Sequence, residues 1–429
     1  MVGLIDPPSA ADGGSGTNSR SQGKGQSVLL LTQILPYPGD AGPRIKTWNV
    51  LLGLHEAGYE ITLLSYMREE EEVYLSTVRR LCHDVVAIPF SRSKPLEVLY
   101  LLRSFLIGRP YLVVRDDRKQ MRQEFDRCVR QGDYSIVHAD QVSMTQFALD
   151  KSGVHRVFDA HNATWRILQS MLQSTALWMR PFLWLEMLRM RKYEARVVSQ
   201  FDRTFVVTED DRLKLLEAIR MSGEDEGAAK ARIQVVPITI DTQAIEICQR
   251  DPDPNELLTI GSLHYAPNAE GVLWLAERVF PLIRESLPQA RLTIIGKNPP
   301  PRLRRLSQAS NGAIRALGFV EDLNPHFRSA SVFVVPVLSG SGMRVRILEA
   351  MARGVPVVTT TLGLEGIGAT DGIEVIVADN EKAMARAVAR LATDPPAQAR
   401  LAANGRKLAE AAYDYRRGLM PMLKVYGAA

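Results

Sequence analysis

The stretch Ser339-Gly-Ser-Gly-Met-Arg-Val-Arg-Ile-Leu-Glu349 holds the densest chemistry in the chain. The apolar run Val332–Val337 ends just before it, and an amphipathic run follows. Gly340 and Gly342 therefore mark a tight turn from a strand into a helix expected over 342–353. Open backbone N–H groups and the positive end of the helix dipole make such a turn a site for an anion. Arg344 and Arg346 fall in the first turns, where guanidinium groups would add charge-assisted bonds to phosphate oxygens. Glu349, further along, is an acceptor suited to a pair of vicinal hydroxyls.

A second cluster lies in the first half. His138 and Asp140 close one expected strand, and His161 and Asn162 close another. Strand C-termini of a doubly wound sheet face the ligand crevice, which makes Asp140 and His161 candidate site residues, with His138 packed behind them. Asp116-Asp117 resembles a carboxylate pair for a metal, but Arg115, Arg118 and Lys119 flank it, so it reads as a solvated charge cluster.

The elements that must position these groups alternate. Ser27–Thr32 is a short apolar strand, a loop runs from Pro36 to Arg44, and an amphipathic helix spans 45–57 before the strand at Ile61–Ser65. The rhythm continues through strands at Val85–Ile88, Ile136–His138, Val157–Ala160 and Thr204–Val207. It restarts at Leu257–Gly261, with a helix over 268–286 and strands at Ala290–Ile295, Ile314–Leu317, Val332–Val337 and Val355–Thr359. Alternation of this kind predicts an α/β architecture of two Rossmann-like, doubly wound domains across a cleft. The expected organisation is a disordered tail over 1–25, a first domain over 26–240, a Pro-bearing linker over 241–255 and a second domain over 256–412. The linker is read as a hinge.

Composition narrows the class. The 429 residues exceed one ordinary core, and 46% apolar with 24% charged residues describe a globular chain. A net charge of +5 argues weakly for an anionic partner. Cys82, Cys128 and Cys248 are odd in number and far apart, giving neither a disulfide framework nor a zinc spacing; a reducing, cytoplasmic setting is expected. No signal-peptide pattern or spanning run of apolar residues occurs. Residues 165–196 combine Trp165, Trp178 and Trp184 with six cations, a mixture suited to peripheral contact with an anionic membrane surface, here the inner face. No basic stripe or module signature suggests nucleic acid.

The segment 339–358 resembles the donor-binding motif of retaining GT-B glycosyltransferases of the family 4 type, in the variant Gly-Ser-Gly-Thr-Arg-x-Lys-x-x-Glu-Ala-Met-Ala. The likeness extends to Pro36-Tyr-Pro and Arg44, Val137-His-Ala-Asp140, Ala160-His-Asn162, Gly261, Gly296 and Gly318-Phe-Val. Tyr413-Asp-Tyr415 to Tyr426 is similar to the family's final helix, which crosses back onto the first domain.

The resemblance implies a GT-B fold and transfer of a sugar, with retention, from a nucleotide-diphosphate donor to a saccharide or lipid-linked acceptor in polysaccharide or glycolipid synthesis. It implies donor binding by Gly42, Arg44, Gly261, Gly340, Gly342, Arg344, Arg346 and Glu349, and catalysis near Asp140 and His161. No metal or other cofactor is implied, the nucleotide sugar being a substrate. Three departures stand out. Ser341 replaces the first glutamate of a Glu-x7-Glu pattern, Gly42-Pro43 replaces a double glycine, and Ser262-Leu-His-Tyr replaces the Arg and Lys that follow the first donor-domain strand. Alternatives are a nucleotide-sugar-binding protein without transferase activity and a nucleotide-sugar epimerase of the same fold.

Overall fold

Runs of Val, Leu and Ile with no polar face become strands covered on both sides, and each such run here is paired parallel to its neighbours. The computed structural model describes residues 26–427 apart from Asp40 and Ser341, so the expected tail and the Ser341 departure lie outside the described residues. The chain divides into two units. One runs to Pro237 and resumes at Leu419; the other is Ile238–Gly418.

The first unit holds β1 (Ser27–Thr32), β2 (Glu60–Met67), β3 (Asp84–Pro89), β4 (Ile136–Asp140), β5 (His155–Ala160), β6 (Arg203–Val206) and β7 (Ile233–Val235). Their order is β3-β2-β1-β4-β5-β6-β7. The winding reverses between β1 and β4, and a crevice outside the carboxyl ends of those strands is the ordinary place for a ligand. Register sets Asp140 beside Asp159 there. Leu29, Leu31, Val137, Phe158 and Phe201 fill the core beneath. The C-terminal helix Met420–Gly427 belongs to this unit, and its Tyr426 is fully buried, edge-on to Tyr59 with ring centroids 5.8 Å apart.

The second unit holds β8 (Asp253–Ile260), β9 (Arg291–Ile295), β10 (Ile314–Gly318), β11 (Ala330–Val335), β12 (Val357–Thr359) and β13 (Ile376–Val377), ordered β10-β9-β8-β11-β12-β13. Its winding reverses between β8 and β11, the strands that precede Gly261 and the 339–342 turn. Leu257, Leu292, Ile294, Val332 and Val334 form its core.

Several expectations shift. The helix after the glycine turn is Val345–Ala352, so Arg344 is its N-cap residue and Gly342 lies before it. The helix expected over 268–286 has a π-helical stretch at Leu275–Val279. Strand β8 begins at Asp253, inside the expected linker, and Thr242 in that linker is fastened by its N–H and hydroxyl to Asp414. The chain rejoins the first unit at Leu419 rather than Tyr413. Short strands β7 and β13 carry too few residues to stand out by pattern. Trp165 is packed in the core and 1% exposed, unlike Trp178 and Trp184. Among the described residues no helix is long and apolar enough to cross a membrane.

Candidate functional site

In the second unit, the turn between β11 and its helix is shaped by two glycines with φ of +89° at Gly340 and +95° at Gly342, a region costly for any side chain. A Cβ at 340 would also sit 3.3 Å from the Tyr265 hydroxyl. The Gly342 N–H donates to Glu365 Oε2 at 3.1 Å, so this turn already directs a backbone donor at a carboxylate. Arg344 folds back to donate to the Gly342 carbonyl. Burial pushes its guanidinium below the ordinary value, opposed by Glu365 and Tyr265, which marks a desolvated cation that gains from a nearby anion.

Arg346 has a different task. Its Nη1 donates to the Ile260 carbonyl at 3.1 Å and its Nη2 to Ser262 Oγ at 3.0 Å, tying the helix to the end of β8. Gly261 lies directly beneath it, and a Cβ there would be 3.6 Å from Arg346 Nη1. Glu349 sits on the same helix, and its carboxylate makes no hydrogen bond to any described residue. Burial raises its carboxyl above the ordinary value, only partly countered by Arg346 and Arg353. A half-buried acceptor of this kind is available to a hydroxyl-bearing ligand. Lys297 lies over the Phe319 ring, 5.0 Å from its centroid.

In the first unit, Asp140 ends β4, and the chain leaves it through Gln141 at φ +71°, a conformation uncommon outside glycine. His161 Nε2 donates to Asp140 Oδ1 at 2.7 Å. Thr47 Oγ1 lies 3.1 Å from both oxygens of that carboxylate. With Nε2 engaged, His161 Nδ1 is left buried with no hydrogen-bond partner among the described residues. The segment after His161 is held by carboxylates: Asp211 accepts from Ala163 N, and Glu194 accepts from Thr164 N at 2.8 Å and Trp165 N at 2.9 Å.

Beneath this pair is a buried set of which the sequence singles out only His138. Lys46, from the helix Gly42–Glu56, forms an ion pair with Asp159 on β5, both side chains 1% exposed or less. Burial alone would raise the Asp159 carboxyl, but the Lys46 ammonium bonded to it outweighs that and holds it low. Burial pushes the His138 imidazole below its ordinary value, so it stays neutral, and its Nδ1 bonds the Tyr426 hydroxyl. His138, Asp140 and Asp159 each bring one metal-ligand-type atom within 4.8 Å of the others. Asp159 is already paired with Lys46, and Asp140 is hydrogen-bonded by His161 and Thr47. The available signal was a lone acid inside the apolar strand Val157-Phe-Asp-Ala160 and a lone lysine in a helix with Trp48, Val50 and Leu51.

Asp140 and His161 are thus brought together, as are Gly261, Gly340, Gly342, Arg344, Arg346 and Glu349 around the β8–β11 switch. Arg44 is drawn aside: its guanidinium pairs with Glu71, both side chains buried. Gly42 opens the helix that carries Thr47 and Lys46, with Pro43 in its first turn. Asp116 and Asp117 are occupied by arginines, Arg115 at 2.7 Å and Arg122 at 2.7 Å.

Comparison with known proteins bears out the fold. Residues 254–394 match the family model described as glycosyl transferases group 1. An uncharacterized 44.6 kDa protein in a cps region of Klebsiella pneumoniae is 21% identical over 408 residues, covering 92% of this chain and 99% of that protein. Sucrose-phosphate synthase from Thermosynechococcus elongatus superimposes with a TM-score of 0.64 at 16% identity, covering 94% of this chain and 98% of that one. Anabaena HepE in complex with UDP and glucose gives 0.61 at 12% identity, covering 94% and 100%. The fold is GT-B, and the chain is a glycosyltransferase.

Proposed function

We propose that the chain moves a sugar, with retention at the anomeric carbon, from a nucleotide-diphosphate donor to a hydroxyl of a saccharide or lipid-linked acceptor. The observation that carries this reading is Glu349, a half-buried carboxylate that burial pushes toward its neutral form, about a turn and a half beyond Arg344 on the helix that follows the glycine turn. A ribose diol satisfies the carboxylate, and the diphosphate meets Arg344 and the backbone of the turn. Charge on the departing diphosphate is the large term in such a transfer, and a desolvated guanidinium stabilises it without reorganising. In the first unit, His161 Nδ1 is the unpartnered polar atom that an acceptor hydroxyl would satisfy, and Asp140 fixes the ring's orientation. The solved relative with UDP and glucose supports a nucleotide-sugar donor, and the cps-region relative supports polysaccharide assembly.

Turnover of a panel of UDP-, GDP- and dTDP-sugars with saccharide and lipid-diphosphate acceptors tests the proposal. Product with the donor's anomeric configuration is expected for at least one pair. Tight nucleotide binding with no transfer to any acceptor would favour a silent binding protein. Interconversion of the free donor would favour an epimerase, and failure to bind any nucleoside diphosphate would overturn the donor assignment.

A further inference from the structure

Helix Lys94–Ile107 of the first unit is turned inside out. Its one buried residue is Ser104, while Val98, Leu99, Leu102 and Leu106, at helical spacing, are 57–87% exposed. A second exposed apolar run, Leu177, Trp178, Phe182 and Trp184, belongs to the same face, because Phe182 meets Phe105 of the inverted helix edge-on at 6.1 Å. The contact is fastened by Arg189, 4.8 Å above the Phe105 ring and 3.5 Å from the Ser104 carbonyl. Where the inverted helix ends, at Gly108-Arg109-Pro110, a cavity of about 350 Å³ opens, lined by Arg109, Arg122, Arg189, Lys192 and Arg196. Asp150 is its one carboxylate and lies 3.7 Å from Arg196; Arg122 is also bonded to Asp117.

We propose that this face docks on an anionic phospholipid bilayer, with the apolar stripe and the two tryptophans entering the acyl boundary and the cavity taking a headgroup phosphate. Contiguous apolar surface of this kind marks an interaction site. The charge beside it decides the partner. The core of a protein–protein interface is depleted of charge, whereas five cations here border the apolar face directly, the pattern of a bilayer-surface element. The inference stands apart from the donor chemistry, since none of these residues belongs to the donor cradle or to the Asp140–His161 pair.

Co-sedimentation of the full chain with vesicles tests it. The chain should bind phosphatidylcholine–phosphatidylglycerol vesicles at low salt, release at high salt, and bind pure phosphatidylcholine weakly. Arg109→Ala and Lys192→Ala should each weaken binding about fivefold. Leu102→Ser combined with Leu106→Ser should weaken it roughly tenfold or more. Both positions are exposed, and UDP binding by the same variants, read by calorimetry, should match the unaltered chain and so reports the donor cradle separately. Absence of vesicle binding, or binding indifferent to lipid charge and to these substitutions, would overturn the proposal. So would a dimer in analytical ultracentrifugation that Leu106→Ser dissociates while vesicles are ignored, because a second copy would then cover the face.

Discussion

On the proposed function, Arg344 meets the diphosphate and Glu349 the ribose, and their variants should fail differently. Arg344→Ala removes a charge-assisted bond worth about 1.5–3 kcal/mol, so affinity for a nucleoside diphosphate should fall roughly 10- to 150-fold. Nucleoside affinity should barely change, and titration calorimetry with both ligands reads the difference. Glu349 should show itself even without ligand. Its carboxyl is raised from an ordinary 4.5 by burial, so the folded state penalises the ionised form. The unaltered chain therefore loses stability as pH rises from the ordinary value through the raised one. Glu349→Gln does not. The melting temperature of the variant relative to the unaltered chain should rise across that window and level off above it, while its donor affinity falls. A constant difference across pH would mean that the carboxyl titrates normally and is solvated.

At the scale of elements, the ends of strands do the positioning, and close backbone approach is what they require. A Cβ at Gly296 would lie 1.9 Å from the Gly261 carbonyl, a collision with backbone that no rotamer relieves. Gly296→Ala should cost about 1–3 kcal/mol in urea denaturation and displace the end of β8, where Arg346 is anchored. The same scale explains what the sequence could reveal. Strands with unbroken apolar runs, such as Val28–Leu31, and the glycine turn before Arg344 are local signals, and both were legible. The start of the helix at Val345 was not, because Met343 and Arg344 fit the helical period while the backbone is still extended by the turn. The pairing of Arg44 with Glu71 and the burial of Trp165 were not legible for one reason: nothing local tells a side chain that it will meet a carboxylate, or a core, from a distant part of the chain. The Lys46–Asp159 pair spans 113 residues and is set by the adjacency of β1, β4 and β5, which no spacing along the chain encodes.

At the scale of the molecule, the first unit is made from two separated pieces of chain, and the smaller one is not ornamental. Tyr426 is fully buried, packs against Tyr59 and Phe205, and bonds His138. Tyr426→Ala should destabilise this unit by about 3–5 kcal/mol, the usual cost of deleting a buried aromatic. A chain truncated before Leu419 should show faster hydrogen exchange across β1, β4 and β5, with β8, β9 and β11 unchanged. Equal protection in the full and truncated chains would mean that the helix is dispensable.

That division has a consequence for synthesis on the ribosome. The first unit begins to emerge early, yet the helix that completes it follows the 181 residues of Ile238–Gly418. At about 5–20 residues per second, the seven-stranded sheet waits roughly 9–36 s for the helix that covers it. Throughout that interval His138 and the aromatic socket for Tyr426 lack their cover, and a nascent chain stalled between the two units would present them to chaperones.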